Sequence, residues 1–232
     1  MTNHKLLRLS STLVLVGVVL VTLIVEFLHP GGGTTYEATL AIWATSGDWT
    51  ALHLAQFVGM AGIGAGLLVL YFALGEMSGA PRWVGFFGTL AAGVSIALAA
   101  VNFAVDGVGN KMAANAWASA PAAEQATRFA SAQALRWLEI GTSSYHDFLL
   151  GLALLLFAVV MVWTARVPRL LGTLLGVSGL AFLVLGWMYG TTGFTPATTV
   201  PTTAGFTLLA ASMIWLYIVA WLGKGAVQAV AS

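Results

Sequence analysis

Hydrophobic residues fall in six long unbroken stretches, at approximately Thr12–Leu28, His53–Leu74, Trp83–Val105, His146–Ala165, Leu170–Tyr189 and Thr202–Leu222. Each can cross about 30 Å of hydrocarbon at about 1.5 Å per residue. None alternates apolar and polar positions as a barrel strand would. Open strands would also leave backbone N–H and C=O groups unpaired in lipid. The pattern therefore predicts an all-α fold, a six-span transmembrane helix bundle that forms a single integral membrane domain over residues 1–232.

The polar connections carry a second pattern. Pro30-Gly31-Gly32-Gly33 stops the first helix, and Tyr36, Leu40 and Trp43 then recur at helical spacing. That spacing predicts a short helix lying in the membrane interface. Residues 106–145 read as the longest loop. Within it, Ser119-Ala120-Pro121 followed by Glu124 predicts a helix start, continuing through Glu139 toward Gly141. Residues 190–203, rich in Thr, Gly and Pro, predict little regular structure. Segments 30–52 and 106–145 together predict a cap of short interfacial helices.

Charge orients the bundle. Lys5, Arg8, Arg82, Arg166, Arg169 and Lys224 fall on one side, and only Lys111, Arg128 and Arg136 on the other. The positive-inside bias places both termini in the cytoplasm, N-in/C-in, and the cap outside. Trp43, Trp49, Trp83, Trp137, Trp163, Trp187 and Trp221 stand near span ends, as interface anchors do. The basic start has no small-residue cleavage site after its apolar run, so the first span is read as retained. A weak internal repeat relates His53, a span and Pro81-Arg82-x-x-Gly85 to His146, a span and Pro168-Arg169-x-x-Gly172. It would set His53 and His146 at equivalent depths across a two-fold axis.

Composition narrows the chemistry. The chain is 59% hydrophobic and 7% charged, against about 25% charged in soluble domains, so the lipid bilayer is its solvent and first partner. A net charge of +1 offers nothing to a nucleic acid. The absence of cysteine excludes disulfides, iron–sulfur clusters and thiol catalysis. No G-x-S-x-G, H-E-x-x-H or P-loop motif occurs.

Polar groups are nonetheless distributed unevenly. His29, His53 and His146 map to the cap side, with Glu26, Glu37, Asp48, Asp106, Glu124, Glu139 and Asp147. Ionisable groups at membrane depth are costly and face a bundle interior or a wet cavity. Glu26 and His29, three apart, share a helix face and offer a carboxylate and an imidazole to one metal; the alternative leaves both at headgroup level. His53 and His146 each open a predicted span, with Gly59 and Gly151 just beyond. Two facing imidazoles can ligate haem b axially. A non-haem Zn or Fe ion on Glu26, His29, His53, His146 and Asp147 is the competing site, supported by Asp106, Glu139 and Gln56. A third reading has these histidines hydrogen-bonding at the interface without a ligand.

The basic start, Leu28-His29-Pro30-Gly31-Gly32 at the end of span 1, and His53 with Gln56-Phe57-x-Gly59 opening span 2 resemble the small multi-pass membrane proteins of high-GC bacteria. That resemblance implies location in a bacterial cytoplasmic membrane and brings no activity with it. Three functions remain open: a metal or haem site beneath the cap, a scaffold or accessory subunit of a homo-oligomer or membrane complex, and a small transporter.

Overall fold

The computed structural model describes residues 2–230, with the backbone alone for Glu26 and residues 222–230. Lys224, used above for orientation, lies outside the described side chains. Every regular element among the described residues is helical: α1 (His4–Leu23), α2 (Tyr36–Thr45), α3 (Trp49–Ala73), α4 (Gly79–Ala104), α5 (Lys111–Ala118), α6 (Gln125–Thr164), α7 (Arg169–Thr192) and α8 (Thr199–Val230). A π-helical segment, Ile24–Leu28, extends α1, and a second, Val105–Asn110, joins α4 to α5. Six helices are long and apolar enough to cross a membrane, which fits a multi-pass membrane protein.

The six long helices close a ring. α1 packs on α3, α3 on α4, α4 on α6, α6 on α7, α7 on α8, and α8 returns to α1. Lipid tails are as apolar as leucine, so close packing rather than the hydrophobic effect joins such helices, and small residues allow it. A Cβ on Gly17 of α1 would lie 2.4 Å from the Gly59 carbonyl oxygen of α3. Ser10 Oγ donates to the Gly66 carbonyl of the same pair at 2.7 Å. The α6–α7 pair is built alike. A Cβ on Gly151 would meet the Gly179 carbonyl oxygen at 2.6 Å, and Ser144 Oγ donates to the Gly186 carbonyl at 2.7 Å. The α1–α3 lock fixes where the far end of α1 stands relative to the start of α3, the two places that carry His29 and His53.

At the opposite end of the bundle, Arg8 donates to the Ala220 carbonyl at 3.1 Å and lies 4.0 Å over the Trp221 ring. Arg166 donates to the carbonyls of Leu74 and Glu76. Arg8 thus ties the start of α1 to α8, and Arg166 satisfies carbonyls at the end of α3, where the backbone leaves them unpaired.

Several expectations change here. α1 begins at His4 rather than Thr12. The helix predicted after Glu124 forms, but residues 106–145 are not a separate connection: Gly79–Ala118 and Gln125–Thr164 each run 40 residues as helix, about 60 Å at about 1.5 Å per residue and twice the hydrocarbon thickness. Only 119–124 turn between them. Gly141, read as a stop, has open space around its Cα, and α6 passes through it; such a glycine costs only about 1 kcal/mol relative to alanine. His146 therefore stands mid-helix and does not open a span. Residues 190–203 are mostly ordered, with α7 reaching Thr192 and a 3-10 turn, Pro196–Thr198, leading into α8.

α2 forms where Tyr36, Leu40 and Trp43 predicted it. Leu40, Trp43 and Trp49 form a second small core with Ala114 of α5 and Ala132 of α6. Trp43 and Trp49 are thus buried, not interface anchors, whereas Trp83, Trp137, Trp163, Trp187 and Trp221 are exposed. The two halves of the suggested repeat also differ in packing: α6 and α7 share the largest interface, whereas the close partner of α3 is α1 rather than α4.

Candidate metal centre

Each of three converging side chains comes from a different device. In the first π segment the His29 N–H reaches the Ile24 carbonyl at 2.7 Å, and Pro30, lacking an N–H, ends the helix directly after it. His29 is thereby turned inward from the chain leaving α1. Asp106 sits in the second π segment, whose widened turn re-aims two carbonyls toward α3. Trp49 Nε1 donates to the Asp106 carbonyl at 2.8 Å, and Thr50 Oγ1 to the Gly107 carbonyl at 2.7 Å. His53 follows one turn later on α3. A Cβ on Gly107 would lie 2.6 Å from the His53 Cβ, so glycine is what lets the two backbones come this close.

Their ligating atoms meet. His53 Nε2 lies 2.9 Å from Asp106 Oδ2 and 3.4 Å from His29 Nε2. One ligand atom from each of the three lies within 4.8 Å of the others. His53 Nδ1 is 2.7 Å from the Trp49 carbonyl. A carbonyl only accepts, so Nδ1 carries the hydrogen and Nε2 offers a lone pair to Asp106 unless a further proton sits there. Two lone pairs at that distance need a proton or a cation between them. The Nδ1–H to carbonyl bond is the usual way a metal-ligating imidazole is oriented. Trp49 backs the pair, its ring 4.4 Å from His53 and 4.9 Å from His29, centroid to centroid. Burial, and then the neighbouring His53, hold the His29 imidazole below its ordinary value of 6.5, which favours its neutral, ligating form.

A hydrogen-bonded chain supports the carboxylate. Asn110 Nδ2 donates to Asp106 Oδ1 at 3.2 Å and to Glu139 Oε2 at 2.6 Å. Glu139 accepts from Arg136 Nη1 at 2.6 and 2.7 Å. The Arg136 guanidinium in turn lies between the Trp43 ring, at 5.1 Å, and the Phe194 ring, at 4.5 Å. Glu139 is buried, so its pair with Arg136 is held inside the protein. On α2, burial pushes the Tyr36 phenol up to about 12, and its hydroxyl donates to the Ala132 carbonyl at 2.8 Å.

The three groups face a cavity of about 730 Å³ lined by all six long helices. His146, Asp147 and Gln56 line it too, but outside the triad. His146 is held by α4: its Nδ1 lies 2.9 Å from the Ser95 carbonyl oxygen, and its Nε2 is 3.9 Å from Asp147 Oδ1. Gln56 Oε1 is buried without a partner. Thr142 and Ser143 both donate to Asn102 Oδ1 at 2.9 Å, joining α4 to α6 between triad and His146. The Glu26 side chain lies outside the described residues. Of the five ligands expected from sequence, the structure thus brings His29 and His53 together, with Asp106, placed among the supporting residues, as the third. Asn110 escaped notice, although its four-residue spacing from Asp106 was a usable signal.

Comparison with protein-family models, curated proteins and solved structures finds no match.

Proposed function

We propose that this chain is a membrane metalloprotein that holds one zinc or iron(II) ion on His29, His53 and Asp106. The observation that carries the reading is the approach of these three ligand atoms, within 4.8 Å of one another, with the far nitrogen of His53 already committed to a carbonyl. Bonds of about 2.0–2.2 Å put neighbouring ligand atoms about 3.0–3.5 Å apart; the 2.9 and 3.4 Å separations fall close to that range. Two histidines and one carboxylate suit either ion. Three protein ligands leave a coordination position open, the arrangement of catalytic rather than structural sites. A metal at that position would acidify a bound water or polarise a bound oxygen.

The haem arrangement is less well supported. It needs an iron and a flat ring against His53 Nε2, where Asp106 and His29 already stand. Transport finds little support either. Beyond Met60 and Leu185 the lining gives way to Ile63, Leu67, Leu154 and Phe157, all fully buried, so the cavity ends inside the bundle. The clustering of Arg8, Arg82, Arg166 and Arg169 at the opposite end supports an N-in/C-in orientation, with the metal on the outer side of the cytoplasmic membrane.

Elemental analysis of the purified protein after dialysis tests this. Wild type retains about one zinc or iron per chain, and Asp106→Asn and His53→Ala lose it. A metal-free wild type under both zinc and iron supplementation would return the chain to the scaffold reading.

A further inference from the structure

The ring of helices is tight at one end of the α1–α8 seam and parted at the other. Arg8, Ala220 and Trp221 close it at the start of α1. Toward the end of α1 the same two helices enclose a groove of about 460 Å³, lined by residues that include Thr22 on α1 and Thr207, Ala210 and Ile214 on α8. Thr22, Thr207 and Ile214 are exposed to the outside of the bundle, in segments whose hydropathy places them in hydrocarbon. Val21, Val25, Thr202 and Phe206 line both this groove and the metal-facing cavity. Thr202 turns its hydroxyl back to its own helix, donating to the Thr198 carbonyl at 2.8 Å, so its methyl is free to face the groove. From Thr202 to Ile214 α8 rises about 18 Å at about 1.5 Å per residue, roughly the depth of one leaflet.

An apolar channel open to lipid thus runs alongside a polar chamber with a cation site. Charge sets what fits the join. Arg136 is paired with Glu139, Asp147 stands apart beside His146, and at the triad a single carboxylate, Asp106, would face a divalent ion, which would keep a net positive charge there.

We infer that the occupant is a single-chain amphiphile taken from the bilayer, its apolar chain lying between α1 and α8 and its anionic oxygen head group reaching the open position of the metal. This rests on the metal reading for the head group but not for the chain. The seam between α1 and α8, rather than the cap, is then the entrance.

Two readouts separate the halves. In lipid nanodiscs, a fatty acid carrying a photoreactive group near its chain end labels α1 and α8 along the groove. Ala210→Phe, which fills the groove, cuts that labelling at least about tenfold, while Val177→Phe on the exposed face of α7 leaves it unchanged. Labelling spread evenly over all six helices, or insensitive to Ala210→Phe, overturns the groove. In cobalt-loaded protein, laurate and a lysophosphatidate of equal chain length shift the visible cobalt bands at concentrations at least about a hundredfold below acetate. Whichever of the two acts at lower concentration identifies the head group as carboxylate or phosphate. Equal potency of acetate and the long-chain ligands overturns the inference while leaving the metal in place. A protein that takes up no cobalt, zinc or iron overturns the metal reading and the head-group half together, and the labelling map still decides the groove.

Discussion

Gly107→Ala is the perturbation that reads the construction of the centre most sharply. It removes no ligand, no hydrogen bond and no charge. The added Cβ would lie 2.6 Å from the His53 Cβ and 3.3 Å from its Cγ. Carbon atoms pack at about 3.5–4.0 Å, so α3 and the π segment must part by about 1 Å. The obstructing atom is next to the backbone, so no rotamer change relieves it. Overpacking of this kind costs about 1–3 kcal/mol. The same displacement exceeds the roughly 0.2 Å tolerance of metal–ligand distances, and it stretches the 2.9 Å approach to Asp106 together with the Thr50 bond to the Gly107 carbonyl. Metal affinity should fall about 10–100-fold, the loss typical when the support of a ligand is disturbed. Competition against a zinc chelator measures it, with thermal unfolding in detergent run alongside. Gly141→Ala is the control, since its Cβ meets nothing within 4 Å; it should leave metal affinity unchanged and add up to about 1 kcal/mol of stability. A Gly107→Ala protein with wild-type metal affinity would refute the argument that this close approach places His53.

Other outcomes follow from the same geometry. Asn110→Leu removes the donor shared by Asp106 and Glu139 and should lower metal affinity about 10–100-fold in the same competition assay. Lys111 Nζ donates to the carbonyls of Trp43, Ala44 and Ser46 at 2.7, 2.9 and 2.7 Å, holding the end of α2; Lys111→Met should destabilise α2 locally by about 1–3 kcal/mol, seen as faster amide hydrogen exchange there with little change in α3. Burial lowers the His29 pKa from 6.5, so its imidazole stays neutral to lower pH than a free one. Metal retention should hold from pH 8 to below the ordinary imidazole value of 6.5 and decline only under stronger acid, as protons compete for the imidazole; retention that rises on acidification would contradict a histidine-ligated ion.

Hydropathy made the six spans readable because lipid demands long apolar helices and nothing else in the chain imitates them. α2 was readable from the three aromatic and aliphatic positions that bury against α5 and α6. The start of α6 was readable from Ser119-Ala120-Pro121 and Glu124, but its continuation through Gly141 into the fourth span was not, for a physical reason. Its polar residues Arg136, Glu139 and Ser143 face a chamber inside the protein, so a helix buried on that side carries the composition of a loop. Ending that helix near Gly141 put His146 at a span entrance and made it the partner of His53. The π segments leave no mark on periodicity, yet they turn His29 inward and set Asp106 against His53. Sequence could name His29 and His53 as ligands and Asp106 as support. It could not say that Asp106 stands against His53, because that depends on one widened turn and on Gly107 beside it.

X-ray absorption at the metal edge of the loaded protein examines the centre most directly. The account predicts a first shell of nitrogen and oxygen at about 2.0–2.2 Å, with the outer-shell scattering of two imidazoles that falls to one in His29→Ala. A shell of oxygen alone, or imidazole scattering unchanged in His29→Ala, would contradict it.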